Sequence, residues 1–468
     1  LSFIHKSDKL TRMRLRTFIA LVTCRMIRRI LHLFGRGGTN LPGTVALRID
    51  KNLLKTLAEG VTAIAVTGTN GKTTTSHMIE QILIDAGYDV FTNRAGANLI
   101  SGITATYVEN ATLGGCPTKS AAVIECDEAA FGAVSEAISP KVIVATNVFR
   151  DQLDRYGEVT HTLGKIRAGI ANSPKATLCI NADDSLITPL ADNAEAEVVY
   201  YGVNVPIYKK RVHEISDAPY CVRCHGIYRY DYVTFGHLGG FYCPNCGYKR
   251  HEPDVFVTET VAMGSENTDV RMVIAGREYP VCINLPGGYN IYNACAAAAA
   301  GTAFGVDSET IVHALGHFTG GFGRMEKFTV DGTEMRMILI KNPTACNQVL
   351  NFLSNIEEPV VFSIVLNDRD ADSTDISWIW DVDFDQIAEM GDHLKALYLS
   401  GTRAEEMAMR LKYAGVPESK MKIIKDDVKL IEACADTSYP VYLMPTYTAM
   451  IDLRRMLTKR YGLKAFWH

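Results

Sequence analysis

The sequence predicts an α/β protein: a mostly parallel sheet flanked by helices, an inserted cysteine ribbon, and a smaller α/β region towards the C-terminal end. Three observations carry this reading. Short apolar runs alternate with helix-length segments from about residue 60 to 203, and again after about 325. A glycine-rich turn, GTNGKT, joins the first of those runs to a helical pattern. Between the two series, residues 208–252 break the rhythm and hold four cysteines in paired C-x-x-C knuckles. Strands separated by helices imply parallel pairing, because parallel neighbours need a long crossover connection, usually a helix.

The elements follow in chain order. Residues 13–35, MRLRTFIALVTCRMIRRILHLFG, mix apolar residues with Arg14, Arg16, Arg25, Arg28 and Arg29. The apolar stretches are too interrupted to span a bilayer, and no small-residue cleavage site follows them. The expectation is an amphipathic helix packed on the body, with a membrane-surface helix as the alternative. Residues 1–45 therefore read as a leader and a basic amphipathic segment. VTAIAVT (61–67) reads as a buried strand and SHMIEQILIDAG (76–87) as a helix closed by Gly87. AAVIEC (121–126), KVIVATNV (141–148), ATLCINAD (176–183) and EVVYYGV (197–203) continue the strand series. After the ribbon the α/β pattern resumes weakly, and a small-residue helix, 290–305, follows LPGGY. VVFSIVLND (360–368), ALYLSGT (396–402) and VYLMPT (441–446) are strand candidates of a second region. The main boundary falls near 325, giving units of 46–325, with the ribbon at about 215–252, and 326–468.

Length and composition bound the function. The 468 residues suit two or three domains. A net charge of −4 demands neither nucleic acid nor an anionic surface. Twelve cysteines in so long a chain, four of them at metal-ligand spacing, point to a reducing cytosol rather than a secreted disulfide scaffold.

The turn is the first chemical signal. Gly68, Thr69, Asn70, Gly71, Lys72, Thr73 and Thr74 lie between strand and helix. Glycines let successive N–H groups and the helix N-terminus face an anion. Lys72 can reach outer phosphates and the Thr73 hydroxyl can ligate magnesium. The loop is tighter than a Walker A turn, since only Thr69 and Asn70 separate the two glycines.

TGTNGKTTT resembles the ATP loop of the Mur ligase family, which forms amide bonds through acyl-phosphates. Other segments agree. Glu125 stands where that family places a magnesium-binding glutamate, with Asp127 and Glu128 close by as either further site groups or a solvated acidic loop. TNVFRDQLDRYGE (146–158) is similar to the family's TN…DHLDxHG segment. Asp151, Asp154 and Gly157 match, while Gln152 and Tyr156 replace histidines. INADD (180–184) resembles the NxDD turn, and GGYNIYN resembles the adenine-side helix start. The resemblance implies Asn290 as an adenine contact, with Asn293 beside it. Gly323-Arg324 and Glu326 resemble the GRxE turn, implying Arg324 at the γ-phosphate.

Cys221, Cys224, Cys243 and Cys246 form the second signal. Two C-x-x-C knuckles at this separation suit a tetrahedral thiolate zinc site, and four cysteine ligands leave no open position, so the zinc is structural. A redox dithiol is the alternative. A free-standing ribbon could bind nucleic acid, and Arg223, Lys249 and Arg250 offer positive charge, but the ribbon lies inside an ATP domain and lacks a dense basic surround.

A Mur ligase-like domain with an inserted four-cysteine ribbon resembles the MurT family, the synthetase subunits of lipid II isoglutaminyl synthases. LNDRDADSTDISWIWDVDFD (366–385), SGTRAEEMAMRL (400–411) and MPTYTAM (444–450) are similar to that family's C-terminal domain. The resemblance implies ATP, Mg²⁺ and structural Zn²⁺ as cofactors. It implies amidation of the α-carboxylate of D-glutamate in lipid II, in the cytoplasm or at the inner face of its membrane. It also implies a GatD-like glutaminase partner whose catalytic pair is completed by Asp375. KNPTACN (341–347) lies where other Mur ligases meet their amine, with Lys341 at its head. Cys116, in LGGCP, does not sit in a nucleophile elbow, so the glutaminase is expected on a second polypeptide. The rivals are a stand-alone Mur ligase or folylpolyglutamate synthase-like ligase, and a zinc-ribbon nucleic-acid regulator.

Overall fold

Two sheets organise the chain. The computed structural model describes residues 15–33, 40–93, 97–150, 159–192, 194–208, 217–320, 324–356, 358–372 and 374–463. The first sheet contains β1 (Thr62–Thr67), β2 (Val90–Thr92), β3 (Ala121–Glu125), β4 (Val142–Ala145), β5 (Thr177–Asn181), β6 (Val198–Val203), β9 (Val255–Met263), β10 (Thr268–Ile274) and β11 (Arg277–Ile283). Their order is β11-β10-β9-β6-β5-β4-β1-β3-β2. Every pair from β2 to β9 is parallel, and β9, β10 and β11 are joined antiparallel. A short hairpin of β7 (Arg229–Phe235) and β8 (Leu238–Tyr242) stands apart from this sheet.

The parallel strands are apolar over nearly their whole length because both faces are covered. On one face lie the helices Lys72–Asp85, Gly288–Phe304 and Ser308–His317. The helix Gly288–Phe304 is buried on all sides, and its run of alanines lets it lie close to the strands. Helices Leu15–Leu33, Leu53–Ala58, Ile100–Glu109, Glu128–Ile138 and Val159–Ala171 cover the other face. The helix Leu15–Leu33 buries Ala20, Leu21 and Cys24 there, and Arg25 donates to the Val108 carbonyl at 2.9 Å.

The second sheet has the order β12-β13-β17-β14-β15-β16. Its strands are β12 (Arg324–Val330), β13 (Thr333–Ile338), β14 (Val360–Val365), β15 (Leu394–Ser400), β16 (Met421–Ile423) and β17 (Val441–Pro445). Only β12 and β13 pair antiparallel.

Two details differ from expectation. The helix after the glycine turn starts at Lys72 rather than near 76, because Gly71 (φ 84°) adopts the left-handed conformation that turns the loop directly into the helix. The weak pattern after the ribbon is a clear antiparallel meander, β9 to β11, closing the edge of the first sheet.

Candidate active site and zinc ribbon

β1 is flanked by β3 and β4, and the chain reverses direction across the sheet there, so a crevice opens beyond their carboxyl ends. The glycine loop fills that position. Gly68 (φ 122°) and Gly71 are both constrained by neighbours: a Cβ would meet Thr146 Oγ1 at 2.4 Å in the first case and Asn293 Oδ1 at 2.2 Å in the second. The residues after β4 hold the loop from outside. Thr146 Oγ1 donates to the Asn70 carbonyl at 2.8 Å, and the Asn70 N–H donates to Asn147 Oδ1 at 2.9 Å. Thr69 N–H donates to the Asn147 carbonyl at 2.7 Å. Among the described residues Asn70 Nδ2 is buried with no hydrogen-bond partner, and Asn70 lines the pocket beside the loop.

Lys72 lies inside this cradle. Its ammonium donates to Glu128 Oε1 at 2.9 Å and to the Gly68 carbonyl. Burial alone would lower its pKa, but Glu128, Glu125 and Asp127 outweigh burial and hold it well above the ordinary lysine range. Glu125, at the end of β3, is buried, and its backbone is fixed by Asn93, which exchanges two 2.8 Å hydrogen bonds with it. Asp127 caps the helix Glu128–Ile138 by accepting from Ala129 N–H at 3.0 Å. The solvated-loop alternative for Asp127 and Glu128 therefore fails, since both are buried. Thr73 and Thr74 occupy the first turn of the loop's helix.

On the far side of the loop, Asn290 and Asn293 line one pocket with Asn70 and Gly71. Asn293 Nδ2 donates to Asn290 Oδ1 at 2.9 Å, and Thr75 Oγ1 donates to Asn293 Oδ1 at 3.3 Å. The second sheet reaches the same pocket. Lys341 donates to the Thr69 carbonyl at 3.2 Å and Asn342 Nδ2 to Asn70 Oδ1 at 3.2 Å. Asn342 also caps the helix Pro343–Leu353. Arg324 opens β12 at the start of this sheet, and its side chain lies outside what the structure describes, as do Asp151, Gln152, Asp154, Tyr156, Gly157 and Gly323.

Asp375 is on the surface of the second unit, accepting from Ser377 N–H at 2.8 Å where a short 3₁₀ turn begins. The Ser377 hydroxyl and N–H keep its carboxyl below the usual range. Its acidic neighbours are engaged internally: Asp368 pairs with Arg403 at 2.7 Å, and Asp372 accepts from Thr448 N–H at 2.7 Å. Cys116 is a half-exposed loop thiol whose N–H donates to Thr112 Oγ1 at 3.1 Å.

The four cysteine sulfurs converge. All lie within 4.8 Å of one another, with Cys221–Cys246 at 3.6 Å and Cys224–Cys243 at 3.4 Å. These separations are close to the roughly 3.8 Å edge of a tetrahedron with zinc–sulfur bonds of about 2.3 Å. Each knuckle closes the same way: His225 N–H donates to the Cys221 carbonyl and Gly247 N–H to the Cys243 carbonyl, both residues having positive φ. Burial would raise the Cys221 thiol. N–H groups of Arg223 and Cys224 and the Tyr228 hydroxyl outweigh it and hold this thiol below the ordinary range; Cys224 is shifted the other way, its Gly226 N–H outweighed by hydrogen bonds to the other sulfurs. The donor set fits a closed structural zinc.

The NxDD turn anchors this ribbon. Asp183, fully buried, accepts from Arg250 Nε at 2.6 Å, Tyr292 Oη at 2.5 Å and Val203 N–H at 2.9 Å. Asp184 accepts from Val148 N–H at 2.9 Å and lies 3.0 Å from His237 Nε2. Arg250 is thus committed to Asp183 and is not free positive charge for a nucleic acid. The pairings of Lys72 with Glu128, Asn147 with the loop and Asp183 with Arg250 are not legible in the sequence, since a buried pairing across dozens of residues leaves no local spacing signal.

The comparisons with known proteins bear on the whole chain. Residues 66–301 match the Mur ligase middle domain model, and 339–450 match the MurT ligase C-terminal model. The subunit MurT of lipid II isoglutaminyl synthase (glutamine-hydrolyzing) from Streptococcus pneumoniae is 36% identical over 96% of this chain and 98% of that protein. The subunit of the same name from Staphylococcus aureus strain COL is 31% identical over 96% of this chain and 99% of its own length. Among solved structures, MurF from Acinetobacter baumannii superposes with a TM-score of 0.64 at 19% identity, covering 89% of this chain and 81% of that one. Folylpolyglutamate synthase of Mycobacterium tuberculosis gives 0.61 at 14%, covering 94% and 99%. These two likenesses establish the fold alone. Taken with its curated relatives, the chain belongs to the MurT family of lipid II isoglutaminyl synthase subunits, built on a Mur ligase middle domain.

Proposed function

We propose that this chain is the ATP-dependent ligase subunit that converts the D-glutamate α-carboxylate of the lipid II stem peptide to D-isoglutamine. A carboxylate oxygen attacks the γ-phosphorus of ATP, ADP leaves, and the acyl-phosphate is opened by ammonia with release of inorganic phosphate. The observation that carries the reading is the Lys72 ammonium, buried in a glycine cradle and surrounded by Glu125, Asp127 and Glu128. Lys72 and the loop N–H groups hold the phosphates, and the reaction needs this charge neutralisation more than a protein nucleophile. Thr73 and Glu125 would hold Mg²⁺, which supplies charge neutralisation at the transferring phosphoryl group. Asn290 and Asn293 would contact the adenine, and Arg324 would serve the γ-phosphate.

Ammonia comes from glutamine hydrolysed by a GatD-like partner, with Asp375 orienting and charge-stabilising the partner's histidine across the interface. Its surface position and depressed pKa suit that role. The decisive assay is glutamine- and ATP-dependent amidation of lipid II by the chain with and without a GatD-like glutaminase. Asp375→Asn should lose amidation with glutamine and keep it with ammonium; loss with both, or with neither, removes Asp375 from the glutaminase.

The substrate is lipid-linked, so the enzyme must work at the inner face of the cytoplasmic membrane. No described helix is long and apolar enough to cross a membrane. The outer face of the helix Leu15–Leu33 exposes Leu15, Phe18, Ile19, Met26, Ile30 and Leu33 with Arg16 and Arg29, a composition suited to peripheral contact with anionic lipid. Phe18→Glu with Ile30→Glu should abolish sedimentation with phosphatidylglycerol vesicles; unchanged sedimentation would remove this face from the membrane contact.

A further inference from the structure

Away from the ATP loop, two helices end side by side. The helix Lys72–Asp85 finishes at Asp85, and the helix Ser308–His317 finishes at His317. Each C-terminus carries about half a negative charge from its aligned peptide dipoles. One turn before the end of the second helix stands His313, on the same face as His317 because the two are four residues apart. Asp85 Oδ2 lies 3.2 Å from His313 Nδ1 and 3.4 Å from His317 Nε2.

The orientation of the His317 ring is fixed by its surroundings. Its Nδ1 lies 2.8 Å from the His313 carbonyl, which can only accept, so Nδ1 donates there and Nε2 is the ring nitrogen turned towards Asp85. Gln81 Nε2 lies 3.1 Å from His317 Nε2 and donates to Asp85 Oδ1 at 2.8 Å. A ring nitrogen therefore faces a carboxylate oxygen at 3.4 Å, a pair that a proton or a metal ion can bridge. A ring N–H given to a backbone carbonyl while the other nitrogen is turned towards a carboxylate is the arrangement that orients metal-ligating histidines. The 3.2 and 3.4 Å separations also match the edge of a tetrahedron with metal bonds of about 2.0 Å, close to 3.3 Å.

We propose that Asp85, His313 and His317 form a second divalent metal site, separate from the cysteine ribbon, for zinc or another imidazole-preferring transition ion. Two imidazoles and one carboxylate select such ions over Mg²⁺ or Ca²⁺, which take oxygen donors. Water completes the coordination, and the Gln81 amide swings off Nε2 while keeping its bond to Asp85 Oδ1. The site lies at the other end of the helix that begins with Lys72, about 20 Å along its axis. Its role is to pin that helix to the one packed beside it, not to enter the chemistry.

The test uses the whole chain with its cysteine ribbon already loaded. Equilibrium dialysis against Zn²⁺, followed by elemental analysis, should find one more metal per chain in the wild type than in His313→Gln/His317→Gln. Both histidines are on the surface, so the variant should keep its fold and its ribbon metal. With Co²⁺, the wild type should gain visible d–d absorption lacking thiolate charge transfer, and the variant should not. Zn²⁺ should raise the melting temperature of the wild type further than that of the variant, by mass action. Equal metal content in the two proteins would overturn the site. So would a His317 resonance that titrates with pH yet ignores added Zn²⁺, since a proton would then be the bridging cation.

Discussion

Replacing Gly71 by alanine tests whether the phosphate loop and the adenine side form one mechanical unit. The φ of 84° costs an alanine about 1–2 kcal/mol. The new Cβ would stand 2.2 Å from Asn293 Oδ1, so the Asn293 amide must move. Moving it loosens two hydrogen bonds, from Thr75 and to Asn290, at about 1 kcal/mol each. The total, about 3–4 kcal/mol, falls on the segment that must cradle phosphate. Expressed as affinity it is a weakening of ATP binding by a factor on the order of 10² to 10³. Calorimetric titration with ATP and Mg²⁺ measures it directly. Adding Asn293→Ala removes the clashing atom, so the double variant should lose less affinity relative to Asn293→Ala alone, leaving chiefly the φ cost. ATP affinity of Gly71→Ala within about threefold of wild type, or a double variant with strictly additive losses, would refute the coupling.

Two further outcomes follow from the same geometry. Lys72→Met should leave the chain folded and lower amidation about 10²- to 10³-fold, the usual loss of one charged stabiliser of a developing anion, measured as phosphate release with ammonium as nitrogen source. Arg250→Met should strand the buried Asp183 carboxylate. Because Tyr292 and Val203 still donate to it, the cost belongs at the low end for a broken buried pair, about 3 kcal/mol. For a cooperative unit of roughly 280 residues this is roughly 5 °C in melting temperature by calorimetry; a shift under about 1 °C would mean the latch contributes nothing.

How much of this was legible depended on whether the signal was local. The strand before the glycine loop, the loop itself and the two cysteine knuckles announce themselves through spacing over a few residues, and the structure keeps them together. The meander β9 to β11 also has a local signal: TDVRMVI and REYPVCI flank Ala275-Gly276, both at positive φ, a two-residue hairpin turn. The same holds for Asp331-Gly332 between β12 and β13. The anchoring of the ribbon was not legible. Asp183 meets Arg250 across 67 residues and Asp184 meets His237 across 53, and nothing in either neighbourhood distinguishes a buried partner from a solvated charge. Glu128 posed the same problem until burial identified it as the partner of Lys72.

The charge at the loop explains why those acids are there. Among the described residues the proposed nucleotide site holds Lys72 inside the loop, Lys341 at its rim and three carboxylates, Glu125, Asp127 and Glu128, with two of the three tied to other tasks. Asp127 caps a helix, and Glu128 neutralises Lys72 at 2.9 Å. Within reach of Lys72 the three carboxylates outnumber the one ammonium, which suits a nucleotide that arrives, as proposed, with divalent metal. Phosphate then competes with Glu128 for the same ammonium. The Lys72–Glu128 pair thereby keeps the buried lysine charged and oriented between turnovers, since an unpaired buried ammonium would be driven towards its neutral form. Removing Glu128 alone would leave the fold and weaken the loop's preparation for phosphate, whereas removing Lys72 takes away the contact the phosphate needs. The acidic cluster, which the sequence leaves open between site groups and a solvated loop, is therefore the counter-charge that makes a buried lysine usable.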